Sequence, residues 1–271
     1  MGRIERGLRL LGTSWGVLRA EPELMLLPVM SAVALLLAMI PIAAAWFAAG
    51  TPQSTEGYAF LFLYYVVAYS IGVFFSAAMV SAAMEKLRGG DPTLGSALSG
   101  AAAKAGPLLA WALVAATVGF ILRTLEQRSG LIGRIVFSII GVAWSVITYF
   151  VVPVIMFEDG STVDSIKRSG HLFKERWGES FIGNGAMGLV FGLLFVADVI
   201  IAVVLLTVSP VVGFIVGGLG FVVLMVLNSA LSGIFNAALY NYAVSGTGIG
   251  GFSADDLASN FRPRRGMFRR S

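Results

Sequence analysis

Apolar residues occur in six long runs that short polar segments separate. A bilayer core about 30 Å thick needs roughly 20 helical residues at about 1.5 Å each, so these runs predict transmembrane helices. The third run is short, and we expect its helix to extend past it, with Arg123 reaching the headgroups. The pattern therefore indicates an all-α polytopic membrane helix bundle. The six predicted spans are residues 24–49, 58–84, 107–122, 135–157, 181–207 and 211–244.

A short amphipathic segment precedes each odd-numbered span, at residues 4–19, 93–104 and 162–177. Thr93 stands where an N-cap residue of the second segment would be. The arrangement predicts three hairpins, each preceded by a short cytoplasmic interfacial helix whose cations point toward anionic headgroups. The simpler alternative is that inner-membrane loops are generally basic, because the three segments share little residue identity. In the first segment the apolar stripe consists of Ile4, Leu8, Leu11, Trp15 and Leu18.

Basic residues predict the orientation of the chain. The segment before the first span, every second connection between spans and the C-terminal tail together carry 16 of the 19 Lys and Arg residues. Because cytoplasmic segments are enriched in Lys and Arg, we expect a multi-pass plasma-membrane protein with both termini in the cytoplasm. A cleaved signal peptide is the competing interpretation of the first span, but its apolar run exceeds the roughly 7–15 residues of a signal peptide's apolar h-region. Residues 1–244 would form one six-span domain, and residues 245–271 a Gly-rich and polybasic tail.

Composition supports a membrane protein and excludes several kinds of chemistry. Hydrophobic residues make up 57% of the chain and charged residues 13%, whereas soluble domains carry about 25% charge. Cysteine is absent and histidine occurs once, which excludes disulfides, iron–sulfur clusters and a multi-histidine metal site within one chain. We therefore expect no cofactor and no enzymatic activity.

Several stretches carry a resemblance to a known family. They read FFSAA (74–78), LRGGDPT (87–93), LEQRSGLIG (125–133), TYFVVPV (148–154) and RWGE (176–179). Together they resemble an uncharacterised family of prokaryotic six-helix membrane proteins, a domain of unknown function. This resemblance implies an integral membrane protein and brings no activity and no ligand residues. More loosely, the plan is similar to the membrane domain attached to some glycerophosphodiester phosphodiesterases, whose catalytic carboxylate and histidine motifs are not seen here.

One charged residue, Asp198, lies within a predicted span. An ionisable group inside the membrane is costly and is usually paired or functional. Counting residues from the cytoplasmic end of its span places Asp198 near the outer boundary, at the level of Arg123 and Arg134. We therefore predict a cluster in which Asp198 and Glu126 pair with these arginines. The alternatives are separate solvation of each charge and a proton or ion site.

Polar side chains recur every four residues along the sixth span, which places them on one face of the helix. A polar substrate path would use such residues, but helix packing explains them as well, since small and amide side chains mediate helix contacts. Small residues recur at the same spacing at Gly188 and Gly192 in span five, and at Gly213 and Gly217 in span six. The polar face consists of Asn228, Ser232, Asn236 and Tyr240.

The C-terminal tail interleaves arginines with apolar side chains. Because the membrane lies only a few residues away, we expect anionic inner-leaflet lipids to bind it, and not nucleic acid. Residues 246–251 fit a dinucleotide-binding glycine pattern but follow a membrane helix, so they predict a flexible linker before a short helix capped by Ser253. The candidate lipid contacts are Arg262, Arg264, Arg265, Arg269 and Arg270.

Two classes of function stay open at this point. A non-enzymatic scaffold or partner subunit of a membrane complex, or a homo-oligomer, fits the absence of catalytic groups. The alternative is a transporter or permease for a small solute or a lipid, which the intramembrane carboxylate and the polar face would serve. An enzyme acting on lipid rests on architectural analogy alone.

The charge distribution makes the topology testable with reporter fusions. Fusions at Thr55 and Pro210 should report an outside location, and fusions at Gly90, Gly170 and Ser271 an inside location, because basic residues are retained in the cytoplasm. A reversed signal at any two of these positions would contradict the assignment of the spans.

Overall fold

Helices form the structure throughout the described residues. This computed structural model describes residues 3–50, 55–177 and 186–259, and in these it contains eleven α-helices, a 3₁₀ turn at Pro22–Met25 and no β-strand. The helices are α1 (Arg3–Ala20), α2 (Leu26–Ala48), α3 (Thr55–Leu87), α4 (Leu94–Ala103), α5 (Ala105–Arg128), α6 (Leu131–Ile147), α7 (Val151–Phe157), α8 (Thr162–Trp177), α9 (Ala186–Val208), α10 (Pro210–Ser245) and α11 (Ala254–Ser259).

Six helical segments are long and apolar enough to cross a membrane, which confirms the predicted number of spans. The third is longer than its apolar run, as a bilayer crossing requires, because α5 extends past both ends of that run. The fourth is divided into α6 and α7. The six segments are Pro22–Ala48, Gly57–Leu87, Ala105–Arg128, Leu131–Phe157, Val190–Val208 and Pro210–Ser245.

A break separates α6 from α7 where the sequence predicted one continuous span. Pro153 lies in the first turn of α7 and has no N–H to donate to the Tyr149 carbonyl four residues earlier. The Asn236 side chain of α10 donates to this carbonyl instead, at 3.3 Å. At the same break the hydroxyl of Ser169 in α8 accepts a hydrogen bond from the Phe150 N–H at 3.0 Å. Two neighbouring helices therefore satisfy backbone groups that the break exposes.

The buried core lies at one end of the bundle. In α3 the buried side chains fall between residues 73 and 87, and in α10 they fall between residues 230 and 243 apart from two glycines nearer its start. Helices α1, α4, α7 and α8 pack around these two ends. Lipid is as apolar as the side chains it touches, so helices gain little from burying apolar surface in the membrane and more where they reach water. In the predicted topology this packed end is the cytoplasmic one.

Helices form at all three segments that the sequence predicted to precede the hairpins, as α1, α4 and α8. In α1, Leu10 and Leu18 are buried, whereas Leu8 and Trp15 are 52% and 39% exposed. The buried face is thus rotated from the predicted apolar stripe, because α10 and α9 pack against one side of α1. The exposed side is the one that an interfacial helix would place in lipid, and that placement stays a prediction.

The Gly-rich segment after α10 packs against the bundle, so the prediction of a flexible linker was wrong. Phe252 and Leu257 are buried, at 3% and 0% exposure. The Arg9 guanidinium of α1 lies 3.5 Å from the Asp256 carboxylate. Ser253 caps α11 as predicted, since its hydroxyl accepts from the Asp256 N–H at 3.0 Å. The burial of these two apolar side chains holds the segment against the bundle. A search for glycine patterns does not detect them.

Helices α9 and α10 approach closely along a row of small residues. A Cβ at Gly217 would lie 2.5 Å from the Ala202 Cβ, and one at Gly213 would lie 2.6 Å from the α9 backbone. These two glycines therefore let the helices touch, as the packing interpretation requires. Gly188 and Gly192 of α9, which have the same spacing, meet open space instead.

The α9/α10 contact predicts a difference between two adjacent glycines. Gly217→Ala should destabilise the protein by about 1–3 kcal/mol, because the added methyl overpacks the contact with Ala202. Gly218→Ala is the matched control, since a Cβ there meets no atom within 4 Å. Denaturant unfolding in one defined detergent measures both. Equal effects of the two substitutions would show that the helices do not pack along this face.

Candidate functional site

Asp198 lies in the middle of α9 and not at its outer end. It is about 18 Å from Ala186 and about 15 Å from Val208 along the helix axis, close to halfway across a bilayer core of about 30 Å. Its carboxylate lies against α10, where a Cβ at Gly220 would overlap Oδ1. The sequence count began at residue 179, which lies outside the described residues, and it placed Asp198 farther along the span than its position in α9.

The outer arginines lie elsewhere. Arg123 forms a 3.5 Å ion pair with Glu126, one turn along the same helix. Helices α5 and α6 pack on each other and α5 packs on α3, whereas α9 packs on α10 and α1. In the described parts of the chain, Asp198 and Arg134 form no ion pair. The predicted pairing of Asp198 with Arg123 or Arg134 therefore does not form, because a count along the chain gives depth but not which helices are neighbours.

The polar face of α10 divides into two parts with different surroundings. At the packed end of α10 the Tyr240 hydroxyl donates to Glu158 at 3.0 Å, and Arg168 of α8 lies 3.0 Å from the same carboxylate. The Phe157 ring stacks on Tyr240 with 5.7 Å between centroids, and the Arg88 guanidinium lies over Phe157. Each polar group in this cluster has a partner, so the cluster joins α3, α7, α8 and α10 structurally.

Next to this cluster, a cavity of about 270 Å³ lies between α2, α3 and α10. No acidic or basic side chain lines it, and its apolar walls include Phe75 and Met79. The Asn236 Oδ1 atom is buried without a hydrogen-bond partner, while its amide nitrogen bonds to Tyr149. The polar lining consists of Ser31, Ser76, Ser229, Ser232 and Asn236.

The depth of the cavity follows from α3. Gly72 and Met79 line it, and they lie roughly 21 Å and 32 Å along the helix from Tyr58, near the start of α3. The cavity therefore lies in the half of the bundle nearer the packed end. Measured from that end, it does not reach the middle of a bilayer core about 30 Å thick.

Sequence reasoning located part of this site. Ser232 and Asn236 belong to the predicted polar face and line the cavity, whereas Asn228 does not line it. Ser31 and Ser76 were missed, because a single serine in an apolar span gives no pattern that marks it. The five predicted lipid-contacting arginines of the tail, from Arg262 to Arg270, lie outside the described residues.

Comparison with known proteins gives one match. The model of a family of unknown function, DUF6159, matches residues 55–252. The chain belongs to this family. The match confirms the resemblance to an uncharacterised family and brings no activity to the chain. No curated protein and no solved structure matches it.

The DUF6159 region contains most of the polar residues described above. Asp198, the Glu158 cluster and the cavity residues from α3 and α10 all lie inside it. Ser31 and Pro28 of α2 lie before it and complete one wall of the cavity. The family region therefore supplies two walls of the cavity, and α2 supplies the third.

The ionisable groups of the site offer little to hold a metal ion. Within the described ranges, no three His, Asp or Glu side chains come together as a metal site would require.

Outside the spans, the Ser161 hydroxyl donates to Asp164 at 2.6 Å, and this hydrogen bond lowers the pKa of the Asp164 carboxyl. That pair lies at the start of α8, where it serves the helix end.

Proposed function

We propose that the protein is a non-enzymatic subunit of a membrane complex, which binds a transmembrane helix of another protein or of a second copy beside α9. The observation that carries this proposal is Asp198. It lies in mid-span, is partly exposed, and has no ion-pair partner in the described parts of the chain. Intramembrane carboxylates usually pair with a basic or amide side chain of a neighbouring helix. A partner helix would supply that side chain.

The packing of α9 leaves room for such a helix. In the described residues α9 contacts mainly α10 and α1. Within the most apolar stretch of Val190–Val208, 6% of the residues are buried. Lipid alone covers apolar faces without cost, so exposure of leucine and valine does not require a partner. Gly188 and Gly192 are different, because small residues are typical of helix contacts and here meet open space. In the described parts of the chain, Gly188 and Gly192 are therefore open to a further helix, while Asp198 lies half-buried against α10 beside that surface.

Crosslinking in the membrane tests the proposal. Since the chain has no cysteine, Val196→Cys provides a single exposed attachment point on α9. We expect a crosslinked complex at native expression level, and Asp198→Leu should weaken its formation about 5- to 30-fold, the equivalent of about 1–2 kcal/mol for an intramembrane polar contact. Asp198→Asn should retain part of the interaction, because an amide still forms hydrogen bonds.

Thr207→Leu is the control, because it also removes a polar group from α9. The Thr207 hydroxyl differs from Asp198 in that it already donates to the Val204 carbonyl at 2.7 Å. It should leave the crosslinked yield unchanged. A chain that stays monomeric and uncrosslinked, or a yield that does not respond to Asp198, would remove the support for a partner subunit.

The cavity favours a second candidate function, a transporter or permease for a small uncharged solute. Its serine and asparagine lining offers hydrogen bonds without charge, which suits a solute with hydroxyl or amide groups. By the count along α3, the cavity does not reach the middle of a bilayer core. Transport would therefore also require a second conformation that opens the cavity to the other side.

Labelling with a membrane-impermeant thiol reagent tests this candidate. Ser76→Cys should react from the cytoplasmic side if the cavity holds water, and also from the outside if the protein alternates between two states. Leu36→Cys is the control, because this side chain is 67% exposed on α2 and would face lipid. Labelling of Ser76→Cys from one side only would indicate a static pocket, and no labelling at all would indicate a dry one. Either result contradicts transport.

A further inference from the structure

A second cavity lies at the other end of the molecule, where the outer halves of α2 and α3 enclose an apolar cleft of about 540 Å³. This volume falls in the range of about 300–1,000 Å³ that small-ligand pockets occupy. Its walls are apolar and aromatic, and the Trp46 and Phe60 rings meet edge to face at 5.7 Å. Phe47 is 72% exposed, which shows that the cleft is open on one side.

The cleft has one cationic group at its rim. Tyr58 lines the cleft, and its hydroxyl accepts a hydrogen bond from Arg128 at 2.7 Å. The Arg128 guanidinium also lies over the Tyr58 ring, 5.2 Å from the centroid. No described carboxylate pairs with Arg128, and the side chain is exposed at the end of α5. Tyr58 therefore holds the guanidinium in place, and a guanidinium has further N–H donors with which it can bind an anion.

We propose that this cleft holds one acyl chain of an anionic phospholipid whose phosphate binds Arg128. An apolar cleft with a fixed cation at one end matches an amphiphile with a hydrocarbon chain and an anionic head. The cleft runs about 12 Å along α2 from Met39 to Phe47, close to the thickness of one leaflet, about 15 Å. A guanidinium binds phosphate through two parallel hydrogen bonds, and Tyr58 fixes its orientation.

The site differs from those already described. It involves neither Asp198 nor the serine-lined cavity, so it does not depend on the proposed function. It also accounts for an arginine on the side of the membrane where basic residues are disfavoured. The other outer arginines provide a comparison, because Arg123 pairs with Glu126 and Arg134 does not contact the cleft.

Native mass spectrometry of the full chain in detergent tests the proposal, with phosphatidylglycerol and phosphatidylcholine of identical chains as probes. We expect one retained lipid and about a fivefold preference for phosphatidylglycerol, which is about 1 kcal/mol for one arginine near the surface. Arg128→Gln should abolish the preference, whereas Arg134→Gln should keep it. Ala43→Phe, which fills the cleft, should reduce retention of both lipids. Leu131→Phe, at an exposed site, should not.

Inorganic phosphate distinguishes a lipid site from a simple anion site. Phosphate added in excess should not displace the lipid, because the chain supplies most of the binding through the cleft. Equal loss of the preference in Arg128→Gln and Arg134→Gln would indicate a general effect of outer charge and would overturn the proposal. Unchanged lipid retention in Ala43→Phe would also overturn the proposal, provided that this variant unfolds at the same temperature as the wild type.

Discussion

Backbone groups without a helical partner constrain the packed end of this molecule more than any other feature. In an apolar medium an unpaired carbonyl or N–H is costly, so a broken helix requires donors and acceptors from its neighbours. Pro153 creates that requirement, and Asn236 and Ser169 meet it from α10 and α8. The same two helices carry Tyr240 and Arg168, which hold Glu158 at the end of α7. The break thus fixes how α7, α8 and α10 sit together.

Burial follows from the same solvent argument. The packed core lies where α3 and α10 emerge among the short helices, while the opposite halves of the spans remain exposed. Water at one end favours burial of apolar side chains, and lipid at the other end does not. The exposed halves can consequently keep features that a soluble core would not tolerate, including a mid-span carboxylate and an open aromatic cleft. The proposed partner helix and the proposed lipid would each contact one of these two features.

One residue, Asn236, both completes a broken helix and lines the cavity. Asn236 uses its amide nitrogen to satisfy the Tyr149 carbonyl, which leaves its oxygen buried and unpaired. The packing interpretation of the polar face therefore holds for Tyr240, while Ser232 and Asn236 also line a cavity. A face of four polar residues need not have one role.

The sequence by itself determined the number of spans, the helices before them and the residue types available for chemistry, because length, apolar periodicity and composition are local properties. It could not determine which helices are neighbours. Asp198 meets Gly220 and not Arg123, and Ser31 joins Ser232 across one cavity, because these contacts depend on how the helices rotate and group in the bundle. The position of Asp198 along its span depended on where α9 begins and ends, and its direction around the helix axis is decided by the tertiary structure, since residues distant in sequence supply the packing surface.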